Sequence, residues 1–218
     1  MRNTVATVIV LSLAVGLLSA IAADAAKTDT PLATEGIRQR EVPLGNLVAD
    51  ALKTAGNADA AFVSAAQFSS GAVEPGKVTA ADVSALLVKP TRVWVVSNFS
   101  GATIRAALER SLARAPTAAS AHFLQVAGIK VQYDPDGAPG TRITSLTVKG
   151  AAVQANTMYK VALPEDLAKG GSGYFTVPGF NEGAIIEGVS GTMASAIGDF
   201  LGANASINYA PLNRIAPK

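Results

Sequence analysis

One histidine, His122, and no cysteine leave this 218-residue chain few groups able to do chemistry. A two-metal hydrolase gathers a cluster of N and O ligands around closely spaced ions. One imidazole with no thiolate does not supply that set. A serine–histidine triad would have to use His122, which sits just before a strand-like run, and no Ser-x-x-Lys motif occurs. His122 is expected at the surface or at a strand edge. No catalytic residue, no metal ligand and no cofactor is therefore expected. The remaining candidate is the loop Gly170-Gly171-Ser172-Gly173, which follows alternating Tyr159, Val161 and Leu163. Glycine adopts positive φ without steric cost and lets a ligand or a second backbone approach closely. Taken alone, such a loop is more often a tight turn. It is not a nucleophile elbow, because Tyr174 stands where the last glycine of G-x-S-x-G belongs.

The N-terminus reads as an export signal. Met1-Arg2-Asn3 precedes an apolar run from Val5 to Leu18 and small residues from Ala20 to Ala25. A basic start, a short apolar core and an A-x-A site define a secretory signal peptide, here residues 1–25. The mature chain is expected to begin near Ala23 or Ala26. The apolar run falls short of the roughly 20 residues that a spanning helix needs. Cleavage, no stable membrane anchor, and a periplasmic or secreted location are the expectation. Without cysteine the exported chain must be held by packing alone, and 49% apolar residues suffice for one core. The net charge of +2 is spread along the chain and forms no basic stripe, so no nucleic-acid partner is expected.

The elements that would carry the loop can be read from spacing. Ala26 to Glu35 reads as an irregular leader. Leu44, Leu47, Val48, Ala51, Leu52 and Ala55 predict a helix stopped by Gly56. Ala60 to Ser64 reads as a strand and Ala65 to Lys77 as a loop. Thr79 and Asp82 form a capping-box variant opening a helix through Val88. Arg92 to Phe99, with the only tryptophan, Trp94, reads as a strand. A helix follows with Ile104, Leu108 and Leu112 on one face. Phe123 to Tyr133 reads as one strand with a bulge at Gly128, where the apolar phase changes. Asp134 to Gly137 is a turn. Strands over Arg142 to Val148 and Ala152 to Leu163 are joined at Lys149-Gly150. Phe175 to Gly188 reads as loop, and the last helix runs from about Gly191 to Leu201. This irregular mixture is α+β.

Four stretches carry a resemblance to a known family. "LPEDLAKGGSGYF" is similar to the "LPxFLAxGGDGF" segment of the 5′-nucleotidase C-terminal domain, as in periplasmic UDP-sugar hydrolases. "RQREVPLGNLVADAL", "FLQVAGIKVQYD" and "PLNRI" resemble that family's opening, strand and closing motifs, in the same order over about residues 28–218. The resemblance implies a layered α/β/β/α sandwich. It also places metal chemistry in a separate N-terminal metallophosphatase domain. With residues 1–25 read as signal and 28–218 as the C-terminal-like domain, a standalone copy is expected.

The resemblance also assigns ligand contacts. Arg38 matches the family's nucleotide-binding arginine in the opening motif. The family's "NGGGIR" aligns with Ser64-Ala65-Ala66-Gln67-Phe68-Ser69, so its Asn has become Ser64 and its Arg has become Ser69. The aromatic that follows a proline, and stacks on the base, has no counterpart in Val88-Lys89-Pro90-Thr91. The second aromatic has become Asp166, and the ribose-binding Asp has become Ser172. Of these contacts only Arg38 is kept. A hydrogen bond to a charged group contributes about 1.5–3 kcal/mol, and stacking of a base about 1–3 kcal/mol. Losing several should cost at least about 4 kcal/mol, roughly a thousandfold in affinity.

The candidate ligand residues are therefore Arg38, Ser64, Ser69, Asp166, Gly170, Gly171, Ser172 and Gly173. They would line a more polar cleft for a nucleoside, a nucleotide or another small polar ligand. Three readings follow: a non-catalytic binding module with a degenerate nucleotide site, the recognition half of a split nucleotidase with a separate metallophosphatase, or an envelope scaffold domain. An exposed apolar patch at Trp94 would favour the last.

Overall fold

The computed structural model describes residues 25–218. The expected signal segment thus lies outside the described residues except for Ala25. In chain order the strands are β1 (Ala25–Thr28), β2 (Leu32–Ala33), β3 (Ala60–Ser64), β4 (Ala72–Val73), β5 (Gly76–Thr79), β6 (Val93–Ser100) and β7 (Leu124–Ala127). They continue as β8 (Ile129–Tyr133), β9 (Ile143–Val148), β10 (Ala151–Ala152), β11 (Met158–Pro164), β12 (Ile185–Thr192), β13 (Ser206–Ile207) and β14 (Ile215–Pro217). The helices are α1 (Pro43–Ala55), α2 (Ala80–Ser84), α3 (Gly101–Leu112), α4 (Glu165–Ala168) and α5 (Met193–Ala203).

The central sheet has the order β12-β6-β11-β3-β7, with β3 and β11 parallel and the other pairs antiparallel. The strand β3, Ala60-Ala61-Phe62-Val63-Ser64, is buried at every position. A strand covered on both faces has no need of polar alternation. Successive residues of a strand point to opposite faces. Val96 of β6 meets the end of α1 at Gly56, where an added Cβ would lie 2.9 Å from Val96 Cγ2. Phe99 has the other parity and stacks on Phe180 with ring centroids 4.6 Å apart. Tyr174 joins them at 5.1 Å from Phe180 and lies under Arg110 of α3. Helix α5 packs on α1, and α3 bridges β6 of the central sheet to β9 of a second sheet ordered β10-β9-β8-β14. The mixed α+β class is thus as read from the sequence.

Several local expectations change. The run from Phe123 to Tyr133 is not one bulged strand. Gly128, at φ +71°, passes the chain from the central sheet to the second sheet, and an added Cβ there would collide with the Asp59 carbonyl oxygen. The segment after Ala25 is no irregular leader: β1 lies between β5 and β13, and Ala26 is buried. The capping box at Thr79 forms, but α2 ends at Ser84. The chain leaves the helix because Leu87 bridges Phe68 and the Val88 amide donates to the Gln67 carbonyl. The loop beyond Phe175 delivers β12 to the sheet edge from Ile185 onward. The strand expected over Ala152 to Leu163 is interrupted, giving β10 and β11. The hairpin at Lys149-Gly150 holds, with φ of +52° and +81°, as a tight primed turn requires.

The motifs at the two ends of the chain meet in space. Glu41, buried at 3% exposure, accepts from Asn46 Nδ2 at 2.6 Å and from the backbone amides of Arg214 and Ile215 at 2.7 and 3.0 Å. Arg214 in turn forms a bidentate pair with Asp50 at 3.0 and 2.7 Å and donates to the Val126 carbonyl at 2.8 Å. Gln125 on β7 accepts from the Val42 amide and donates to the carbonyls of Ile37 and Arg40. Gly45 is required beneath it, since an added Cβ would collide with the Gln125 side chain. The opening motif therefore works first as an anchor for β14 and for the loop that carries Arg38.

Candidate functional site

The glycine loop is built at the end of β11. Pro164 closes the strand, α4 makes a single turn, and Lys169 pairs with Glu165 at 3.1 Å and with Glu182 at 3.2 Å. Gly170, Ser172 and Gly173 then adopt φ of +88°, +51° and +77°. Ser172 is a serine in the left-handed region, where non-glycine residues are uncommon. The loop closes on itself: the amides of Gly170, Gly171, Tyr174 and Phe175 donate to Leu167, Asp166, Gly171 and Gly170 carbonyls at 2.7–3.1 Å. Those four N–H groups are therefore engaged within the loop rather than directed at a ligand.

Across from the loop, β3 ends at Ser64 and a single 3-10 turn runs from Ala65 to Gln67. Ser64 is fully buried, and its Oγ lies 3.1 Å from Ser172 Oγ. Gln67 Nε2 donates to Asp166 Oδ2 at 3.1 Å and Oδ1 at 3.4 Å. Arg92, just before β6, forms an ion pair with the same carboxylate at 2.8 Å. Both side chains are only partly covered, at 26% and 34% exposure. Ser64, Asp166, Ser172 and the three loop glycines thus come together, joined by Gln67 and Arg92.

Arg38 and Ser69 do not join this bridge. Ser69 is exposed, and its amide donates to the Leu86 carbonyl. Arg38 is exposed and lines a separate cleft of about 560 Å³ with Ser70 and Ala119 on its walls. Trp94 is buried at 5% exposure, so it forms no apolar surface patch.

His122 is half-buried rather than free at the surface. Its Nδ1 lies 3.4 Å from an Arg110 guanidinium nitrogen, and its carbonyl accepts from the Tyr174 hydroxyl at 2.6 Å. Gly173 passes so close that an added Cβ would collide with Arg110 and lie 3.3 Å from His122 Nε2. Burial, and then the Arg110 and Arg114 charges, hold its pKa below the ordinary value. A depressed histidine contributes stability above the unfolded value of about 6.5 and loses it as pH falls through the folded pKa. Unfolding free energy should therefore fall as pH drops from about 7 towards 5. This slope should amount to no more than one proton and disappear in His122→Asn. Urea melts at stepped pH check this; an unchanged slope in the variant would contradict it.

Among the described residues, no group of three or more His, Cys, Asp and Glu side chains could hold a metal ion. No metal-dependent step is derived from them. Nor is any helix there long and apolar enough to cross a membrane.

Gln67 and Arg92 were not among the residues singled out by sequence. The available signal was a charge swap: an acid where the family carries an aromatic, and a base two residues after Pro90.

The domain is α+β, with the glycine loop at the end of β11 facing the end of β3 in the central sheet. The chain belongs to the family described as 5′-nucleotidase, C-terminal domain, whose profile matches residues 21–179. It is 30% identical over 170 residues to a 5′-nucleotidase-related protein of Glossina morsitans morsitans, covering 68% of this chain and 30% of that protein. A snake venom 5′-nucleotidase of Naja atra is 39% identical over 90 residues, 38% of this chain and 17% of the relative. The chain thus spans less than a third of these relatives. The crystal structure of the 5′-nucleotidase precursor of Thermus thermophilus shares the fold, with a TM-score of 0.73 and 24% identity. That similarity covers 88% of this chain and 39% of the Thermus chain.

Proposed function

We propose that this chain is a ligand-binding domain of the 5′-nucleotidase type whose nucleotide slot has been converted to a polar, self-bridged cleft, and that it carries no catalytic group of its own. The observation that supports this most is the Arg92–Asp166 ion pair at 2.8 Å, held further by Gln67. The family resemblance puts one base-stacking aromatic at Asp166 and the other just after Pro90. Here those two segments are tied to one another by charge. A base entering between them would have to separate this pair and displace Gln67 from Asp166, which opposes stacking there. Ser64 and Ser172 likewise satisfy one another where the family would offer an amide and a carboxylate.

The ligand that fits this reading is small and polar, held by hydroxyls and by Asp166 rather than by stacking. Export to the periplasm or the cell exterior belongs to the same reading and is supported by the basic start and apolar run before Ala25. A second reading keeps the domain as the recognition half of a nucleotidase that works with a metallophosphatase. Family membership and the retained Arg38 support it. The purified chain, supplied with AMP and Mn²⁺, Zn²⁺ or Mg²⁺, should release no phosphate above the buffer rate. Sustained turnover that survives repurification would contradict the absence of catalytic groups.

A further inference from the structure

A cleft of about 740 Å³ runs along α3, and two of its lining residues, Arg110 and His122, abut Gly173 of the glycine loop. Ala102, Ala106, Val153 and Ala155 give it apolar walls. Arg105, Arg110, Arg114 and His122 supply its polar groups. None of these three arginines pairs with a carboxylate among the described residues. Arg105 reaches only the Ile143 carbonyl at 3.3 Å, and Arg110 has His122 Nδ1 as its one hydrogen-bond partner and lies over the Tyr174 ring, with its Nε buried and unpartnered. The neighbouring Arg142 differs, since it donates to the carbonyls of Leu112, Ala115 and Gly137. Glu109 also lines the cleft, but its two oxygens accept from the Arg142 and Ile143 amides at 3.0 and 2.8 Å. It forms no ion pair with the three arginines, and one carboxylate against three guanidinium groups leaves the cleft with an excess of positive charge.

A guanidinium has five donors and no acceptor; Arg105 and Arg114 are exposed, while Arg110 is partly buried with its Nε unpartnered. Three cations around an apolar trough, one of them with a buried donor left open, match one kind of occupant. We propose that this cleft binds a small organic anion with an apolar body, its acid group among Arg105, Arg110 and Arg114 and its body against Ala106 and Val153. The site is independent of the nucleotide slot, because it shares none of Ser64, Gln67, Arg92 or Asp166. Carboxylate and phosphate heads share this chemistry; the apolar body distinguishes the ligand from a free inorganic ion.

Anilinonaphthalene sulfonate, an apolar anion that fluoresces on leaving water, serves as the probe on the intact purified chain. Saturable binding is expected, displaced by octanoate but not by octylamine, and far less by inorganic phosphate. The double change Arg105→Ala with Arg114→Ala should weaken the probe about tenfold. Ala106→Trp, which fills the trough and keeps every charge, should abolish binding. Urea midpoints of both variants report whether they remain folded, and octanoate against octylamine tests the unaltered chain without any substitution. Displacement by octylamine as good as by octanoate would overturn the proposal. So would probe affinity unchanged in both folded variants, or displacement by inorganic phosphate alone at equal concentration.

Discussion

Glu41→Ala should lower the unfolding free energy by about 3–5 kcal/mol, the range for removing one member of a buried charged network. The cause is what stays behind. Asn46 Nδ2 and the backbone amides of Arg214 and Ile215 all lose their acceptor in a region where Glu41 itself is 3% exposed. Each buried donor left unpaired costs about 1–3 kcal/mol. Arg214 would keep Asp50, so the C-terminal strand should loosen rather than detach. Arg40→Ala, in the same motif, is the internal control. Its side chain is 63% exposed and lies 3.9 Å from Glu35, a surface pair worth about 0–1 kcal/mol. Urea unfolding should show a large drop in midpoint for Glu41→Ala at unchanged slope. Equal losses in the two variants would show that the motif does not anchor β14.

The second large effect is a gain. Thr91→Phe with Asp166→Phe would remove the Arg92–Asp166 pair and rebuild two stacking faces. Ser64→Asn with Ser172→Asp would replace two hydroxyls 3.1 Å apart by an amide donor and a carboxylate. Adding Ser69→Arg completes the restoration. Base stacking alone contributes about 1–3 kcal/mol per aromatic, so with two aromatics adenosine affinity should tighten by at least about thirtyfold over the unmodified chain. The polar changes without the aromatics should gain less. The buried position of Ser64 makes Ser64→Asn the substitution most costly to stability, so its folding should be checked first. No gain from the complete set would mean that the two loops do not frame a base-sized slot.

What the sequence made legible was set by local chemistry. Helix α1 follows from apolar spacing and Gly56. The Thr79–Asp82 capping box follows from two side chains three residues apart, and the Lys149-Gly150 hairpin from residues tolerant of positive φ. The irregular order of helices and strands made the mixed class legible. Features set by distant partners were not legible. A glycine at a phase change fits a bulge as well as a passage between sheets, and only the approach of Asp59 decides in favour of the passage at Gly128. The helix after Thr79 stops early because Phe68 and Gln67 compete for Leu87 and Val88. In the site, Ser64, Asp166 and Ser172 could be singled out as substitutions, but not the contacts they make. That Asp166 is held by Arg92 and Gln67 depends on where β3, β6 and β11 end in one sheet. Glu41 and Gln125 stood in recognisable motifs, yet their structural roles emerge only when the two ends of the chain meet.

On the proposed reading, the nucleotide slot is bridged by the protein's own side chains. Calorimetric titration of adenosine and AMP into the unmodified chain tests it most directly. The Arg92–Asp166–Gln67 bridge and the Ser64–Ser172 contact predict no binding tighter than about 1 mM, near −4 kcal/mol. Adenosine binding at about 1 μM would contradict it, because that affinity requires a slot open to the base and contacts that replace the missing aromatics.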